Sequence, residues 1–109
     1  MRLIEDARRM APSLSRGTPV VYILRLRSGA FYVGSTTDFE TRLRDHAEGL
    51  ACRTTEIDPP IALLFIEVQP DYAVARRREA QIKKWSHAKK EALISGDTRR
   101  LRTLSKSRD

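Results

Sequence analysis

Two short apolar runs separated by a serine and a glycine constrain this chain more than any other feature. Val20-Val21-Tyr22-Ile23-Leu24-Arg25-Leu26 and Ala30-Phe31-Tyr32-Val33-Gly34 flank Arg27-Ser28-Gly29. β-branched and aromatic residues of this length on either side of a glycine-bearing turn read as a β-hairpin. A two-residue Ser28-Gly29 loop would force a positive φ on Ser28, whereas a three-residue Arg27-Ser28-Gly29 loop leaves only Gly29 in the left-handed region. The longer loop is therefore expected. It pairs Leu26 with Ala30 and Leu24 with Tyr32, and side-chain alternation then places Tyr22 and Tyr32 on one face of the sheet.

The rest of the chain reads as helices around one further strand. Thr37-Asp38-Phe39-Glu40 has the capping-box pattern, with Thr37 as N-cap, and predicts a helix that stops at Gly49. Phe39, Leu43 and Leu50 define its apolar stripe, His46 falls between them, and Arg42 lies one turn before His46 on the flank. After Pro59-Pro60, the continuous apolar run from Ile61 to Val68 predicts a buried third strand. Asp71 can cap a second helix in which Ala75, Ile82 and Trp85 mark the buried side and Glu79 borders it. Ser86 can cap a third helix ending at Gly96, and Asp97 a fourth carrying Leu101 and Leu104 among Arg99, Arg100 and Arg102. Residues 1–18, with Pro12, Ser13, Ser15 and Gly17, read as a frayed helix or flexible arm. The expected organisation is an arm over 1–18, a domain over 19–96 in the order ββαβααα, and a basic helix or tail over 97–109.

Length and composition narrow the function classes. A chain of 109 residues closes one core, with an expected radius of gyration of roughly 13 Å. Its longest apolar run, Ile61 to Ile66, falls well short of the ~20 residues a membrane span needs, so no membrane association is expected. Glu5 and Asp6 sit where a signal peptide would be apolar, which points to a cytoplasmic protein. One cysteine and two histidines exclude an internal disulfide and leave too few ligands for a structural zinc site. The net charge of +7 is concentrated: residues 1–75 carry nine basic and ten acidic side chains, residues 76–109 twelve and four, and all five lysines lie between 83 and 106. Such a footprint suits a polyanionic partner, though charge alone does not separate DNA from RNA.

Tyr22, Tyr32, Arg42, His46 and Glu79 stand out as polar groups expected near the sheet. Taken singly, each has an ordinary structural explanation. A strand tyrosine is usually core with its hydroxyl at the rim, an inward histidine is usually just hydrogen-bonded, and Glu79 can bridge Lys83 one turn later. Taken together, one carboxylate, one arginine, one histidine and two phenols around one sheet are what phosphodiester hydrolysis asks for.

The order and spacing of Val20-Val21-Tyr22, Tyr32-Val33-Gly34, Arg42 with His46, and Glu79 resemble the GIY-YIG endonuclease superfamily over residues 19–96. The runs Tyr32 to Thr36, Arg42 to His46 and Arg77 to Lys90 are closest to its small stand-alone bacterial branch. The resemblance implies an α/β (α+β) fold, a three-stranded antiparallel sheet flanked by helices. It implies Glu79 as ligand of one Mg²⁺ or Mn²⁺, water and a phosphate oxygen completing the shell. It also implies that Arg42 neutralises transition-state charge and that Tyr22 accepts a proton, its anion favoured by Arg42 and the metal. Tyr32 and His46 would orient water or phosphate, His46 alternatively relaying the proton. Arg76, Arg77, Lys83, Lys84, Lys89 and Lys90 would track DNA or RNA phosphates. The activity implied is that of a metal-dependent DNA endonuclease or nickase in repair or processing, acting as a monomer on one strand at a time. The competing reading is a nucleic-acid-binding module that keeps the fold and cleaves weakly or not at all. Three departures from the superfamily pattern stand out: Val20 in place of glycine, no asparagine anywhere, and an acidic 51–58 segment where relatives tend to be basic.

Overall fold

The computed structural model describes residues 2–106. In chain order the elements are α1 (Arg2–Met10), β1 (Val20–Leu26), β2 (Phe31–Thr36), α2 (Phe39–Ala47), α3 (Arg53–Ile57), β3 (Pro60–Val68), α4 (Tyr72–Lys83), α5 (His87–Ser95) and α6 (Thr98–Lys106). The sheet order is β2-β1-β3 with both pairings antiparallel, an α+β arrangement as expected. The hairpin adopts the three-residue loop. Leu24 lies opposite Tyr32, the Leu26 N–H donates to the Ala30 carbonyl at 2.9 Å, and Gly29 takes φ 94°.

β1 is apolar on both faces because helices cover both sides of the sheet. Val20, Tyr22, Leu24 and Leu26 pack with Leu3 and Ile4 of α1 and Phe39 and Leu43 of α2. Val21 and Ile23 pack on the other face with Ala75 and Ile82 of α4, and Trp85, Leu93 and Ile94 close over them. The helix caps at Asp71, Ser86 and Asp97 form, each side chain accepting from the N–H three residues on, at 2.9, 3.1 and 3.0 Å. The radius of gyration is 13.6 Å.

Several expectations are corrected. The N-terminal stretch is not a loose arm: Leu3 and Ile4 of α1 are buried, and buried Asp6 accepts from the Leu63 N–H at 3.4 Å on β3. Leu3, Ile4 and Ala7 lie on one helical face, enough to dock a nine-residue helix that would be marginal alone. β3 is an edge strand and not a buried one. Leu63 alone in it is buried, while Ile61 and Val68 are 45% and 58% exposed. In α2 the N-cap is Asp38 and not Thr37. The Asp38 N–H donates to Thr36 Oγ1 at 3.0 Å, and Glu40 turns outward to Arg8 and Arg44 at 3.1 Å each instead of folding back. Leu50 lies beyond the end of α2 and is 72% exposed, so it is no part of the core stripe. α3 was not expected, since five residues with only Thr55 buried carry no apolar periodicity. Of the expected 97–109 tail, residues 107–109 lie outside the described residues.

Candidate active site

The hairpin and α2 bring Tyr22, Tyr32 and His46 together. Tyr22 points from the central strand toward α2, is 1% exposed, and its hydroxyl lies 2.7 Å from His46 Nε2. The Tyr22 ring packs against Phe39 at 5.3 Å and Tyr32 at 6.5 Å between centroids, and the Tyr32 ring meets His46 edge-on at 4.9 Å. Gly34 sits opposite Tyr22 in the register, and a Cβ there would lie 2.5 Å from both Cζ and Oη of Tyr22. Glycine is required at this position for space, because the phenol lies directly over its backbone.

His46 is held from behind. Its Nδ1 lies 3.0 Å from Thr55 Oγ1, and Thr55, also 1% exposed, in turn meets Cys52 at the carbonyl (3.5 Å) and at Sγ (3.4 Å). Burial first, then the Arg42 charge, lowers the His46 pKa to about 4, so the ring is neutral at pH 7. A neutral imidazole has one N–H and one acceptor nitrogen. Burial, joined by the neighbouring Tyr32, pushes the Tyr22 phenol well above its ordinary value, with Arg42 pulling the other way, so Tyr22 keeps its proton. The arrangement that partners every buried proton has Tyr22 O–H donating to Nε2, Nδ1–H donating to Thr55 Oγ1, and Thr55 donating to the Cys52 carbonyl. Burial likewise raises the Tyr32 phenol, with its hydrogen bond to the Cys52 thiol adding to the effect. Burial opposes ionisation of Cys52, but hydrogen bonds from Thr55 and Tyr32 outweigh it and pull the thiol below its ordinary value.

Glu79 reaches the same strand from the other layer. It projects from α4, accepts the Ser35 hydroxyl of β2 on one oxygen, and is paired by Lys83 Nζ at 2.6 Å on the other. Partial burial opposes its ionisation, but the hydrogen bonds from Lys83 and Ser35 and the charges of Lys83 and Arg76 hold its carboxyl below the usual range. β2 therefore carries the whole arrangement: Tyr32 and Gly34 face the phenol and imidazole, while Ser35, one residue on, faces the carboxylate. The two sides sense each other, since the Glu79 charge raises both phenols. Arg42, half-buried one turn before His46, forms no ion pair among the described residues, and its charge acts on Tyr22, Tyr32 and His46.

The donors around Glu79 are hard oxygens of the kind a divalent cation takes: one ionised carboxylate, whose second oxygen already faces positive charge, and one adjacent hydroxyl. Among the described residues there is no cluster of three or more His, Cys, Asp or Glu side chains able to hold a metal, so water and substrate oxygens would have to complete any shell. Of the basic residues expected on a nucleic-acid surface, Arg76, Arg77 and Lys84 are exposed on and just after α4, Lys83 is committed to Glu79, and Lys90 is half-exposed on α5. Lys89 departs from expectation. It is 6% exposed with its ammonium 4.2 Å above the Trp85 ring, so it belongs to the packing and not to the open basic face. Ser35, Thr55 and Cys52 are the neighbours of the site that pattern reading gave no role, and Gly34 entered only as part of the Tyr32-Val33-Gly34 motif. Strand alternation from Gly34 could have assigned Ser35 to the Glu79 face; nothing in the sequence brings Thr55 to His46.

A sheet edge that joins a tyrosine–histidine pair to a carboxylate from the opposite layer defines a catalytic domain of the GIY-YIG type. The chain matches the family model described as the GIY-YIG catalytic domain over residues 18–92, and it belongs to that family, a nuclease superfamily. It is 35% identical over 79 residues to a UPF0213 protein of Xanthomonas axonopodis pv. citri, covering 72% of this chain and 78% of the relative. It is 37% identical over 74 residues to a UPF0213 protein of Halobacterium salinarum, covering 68% of this chain and 96% of the relative. The solution NMR structure of a UPF0213 protein from Bacillus halodurans matches 72% of this chain and 83% of its own, at 36% identity and a TM-score of 0.48. No helix among the described residues is long and apolar enough to cross a membrane.

Proposed function

We propose that this protein is a metal-dependent endonuclease or nickase that hydrolyses phosphodiester bonds of DNA in repair or processing, with Glu79 as the protein ligand of one Mg²⁺ or Mn²⁺. The observation that carries this reading is the placement of the Tyr22–His46 pair and ionised Glu79 on the two faces of β2. A phosphodiester laid along that edge would meet Tyr32, backed by the buried Tyr22–His46 pair, on one side and a carboxylate on the other. The ion, when bound, supplies positive charge against the phosphate and the departing oxygen. Arg42, with no carboxylate partner among the described residues, is free to neutralise charge that develops on phosphorus. Tyr22 is protonated at rest, and its proton has one path, to His46. Burial first, then the Arg42 charge, keeps His46 neutral, so the pair rests as phenol and imidazole, and an anionic phosphate beside Arg42 would offset the Arg42 part of that shift. Tyr32, less buried than Tyr22, is placed to orient water. Arg76, Arg77 and Lys84 line the exposed face of α4 and would follow the flanking phosphates.

A second reading has its own support. Both oxygens of Glu79 are engaged and both phenols are held protonated, so the resting site is not primed, as a weakly cleaving nucleic-acid-binding module would be. One experiment separates the two. The purified chain is incubated with Mg²⁺ or Mn²⁺ and supercoiled, single-stranded and branched DNA, alongside Glu79→Ala and a chelator control, with binding measured on the same samples. Nicking that is lost in Glu79→Ala and in chelator while binding persists supports the nuclease; binding with no cleavage by the native chain overturns it in favour of the module.

A further inference from the structure

Glu79 is the carboxylate read above as the ion's ligand, yet neither of its oxygens is open. One accepts the Ser35 hydroxyl; the other is 2.6 Å from Lys83 Nζ. Lys83 lies four residues after Glu79 and Arg76 three before it, so the carboxylate stands between two cations on one face of α4. The Lys83 side chain is 50% exposed and that of Glu79 14%. The ammonium can thus swing to water at little desolvation cost, whereas the carboxylate stays in place on Ser35.

We propose that Lys83 is the resting counter-cation of the ion site: it holds the Glu79 oxygen that a divalent ion would take, and ion binding displaces its ammonium toward the phosphate-facing surface. This rests on the reading of Glu79 as the metal ligand. The Ser35 hydrogen bond keeps the carboxylate oriented while Lys83 leaves, so displacement requires one rotatable side chain to move and no change of fold. Lys83 has two consequences for the ion. It competes for the oxygen, and its charge repels a dication nearby. A surface ion pair at this spacing is weak enough to yield, and the repulsion between a dication and an ammonium a few ångströms apart is the larger effect.

The test uses Mn²⁺ alone and the full-length chain without DNA, with affinity read by calorimetry and water-proton relaxation. The expected result is weak binding by the native chain that is lost in Glu79→Gln, about three- to tenfold tighter binding by Lys83→Gln, and binding by Lys83→Arg within about twofold of native. Unchanged or weaker binding by Lys83→Gln, or Lys83→Arg behaving like Lys83→Gln, overturns the proposal while leaving Glu79 as ligand. Mn²⁺ binding that survives Glu79→Gln overturns both readings at once. Thermal melts of the variants guard against a folding defect, which would weaken Mn²⁺ binding and could not produce the tightening expected.

Discussion

Gly34→Ala isolates the contact on which the tyrosine side of the site depends. The new methyl carbon would lie 2.5 Å from Tyr22 Cζ and Oη and 3.1 Å from Cε1. The Tyr22 ring has little freedom to withdraw, being 1% exposed and held by Phe39, Tyr32 and His46. Overpacking of this kind costs about 1–3 kcal/mol. Displacing the hydroxyl from His46 leaves two buried polar atoms unpartnered, a further 1–3 kcal/mol or so. Against this, alanine in a strand interior recovers about 0.5–1 kcal/mol relative to glycine. A net loss of about 2–4 kcal/mol follows, which for a domain of this size lowers Tm by about 10 °C or more. Urea denaturation of Gly34→Ala, Tyr22→Leu and the double variant checks the cause as well as the size. Leucine has no atom where Cζ and Oη stand, so Gly34→Ala should cost much less in that background, a coupling of about 1–3 kcal/mol. Equal cost in both backgrounds, or a loss below about 0.5 kcal/mol in the native one, would refute the argument that space for the phenol is what demands glycine.

Three further outcomes follow from the same geometry. His46 has a folded pKa of about 4, below its ordinary value of 6.5, so the unfolded chain binds the extra proton first; its stabilisation is complete above pH 6.5 and is lost as pH falls toward 4. The unfolding free energy from urea denaturation should fall by about 2 kcal/mol between pH 7 and pH 5, and His46→Gln should flatten that slope. Lys89→Ala should cost about 0.5–2 kcal/mol through its lost contact with Trp85, with little effect on DNA affinity; a binding loss with unchanged stability would return Lys89 to the phosphate-contacting set. Arg77→Ala and Lys84→Ala should leave the melt unchanged and each reduce the salt dependence of DNA binding by about one phosphate's worth, which titrations at several salt concentrations measure.

The sequence was most legible where local chemistry dictates geometry. The hairpin loop follows from the φ demands of Ser28 and Gly29, and with it the shared face of Tyr22 and Tyr32. The inward lean of His46 follows from helical periodicity on α2. What could not be read depends on where edges and layers fall. An apolar run such as Ile61 to Ile66 looks the same whether the strand is central or at an edge, and here neighbouring β1 takes the centre. Lys89 looked like one of a series of cations, because periodicity carries no information on a lysine folding back over Trp85. A helix was one of two readings for residues 1–18, but the docking of α1 was hidden because its apolar face is short and gains stability only by packing on β3 and α2.

The 51–58 segment changes meaning most, and it ties the site to the hairpin. By composition it is acidic where a basic phosphate-binding loop is expected. In the structure its residues act as a brace. Thr55 receives the His46 N–H, and Asp58 accepts both the Ser28 N–H at 3.0 Å and the Ser28 hydroxyl at 2.5 Å, pinning the hairpin loop, while Arg27 N–H donates to the Pro59 carbonyl at 2.8 Å. That loop sets the register of β2. A slip of one residue would exchange Gly34 and Ser35, driving a side chain into the Tyr22 phenol and removing the hydroxyl from Glu79. Both sides of the site would be lost together. A segment outside the sheet, touching its edge through the Cys52 hydrogen bond to Tyr32, therefore controls what the edge presents. Asp58→Ala should accordingly disturb the Tyr22 and Glu79 environments at a distance, visible as NMR shift changes at both Gly34 and Ser35. Changes confined to the loop would show that β1 pairing alone holds the register.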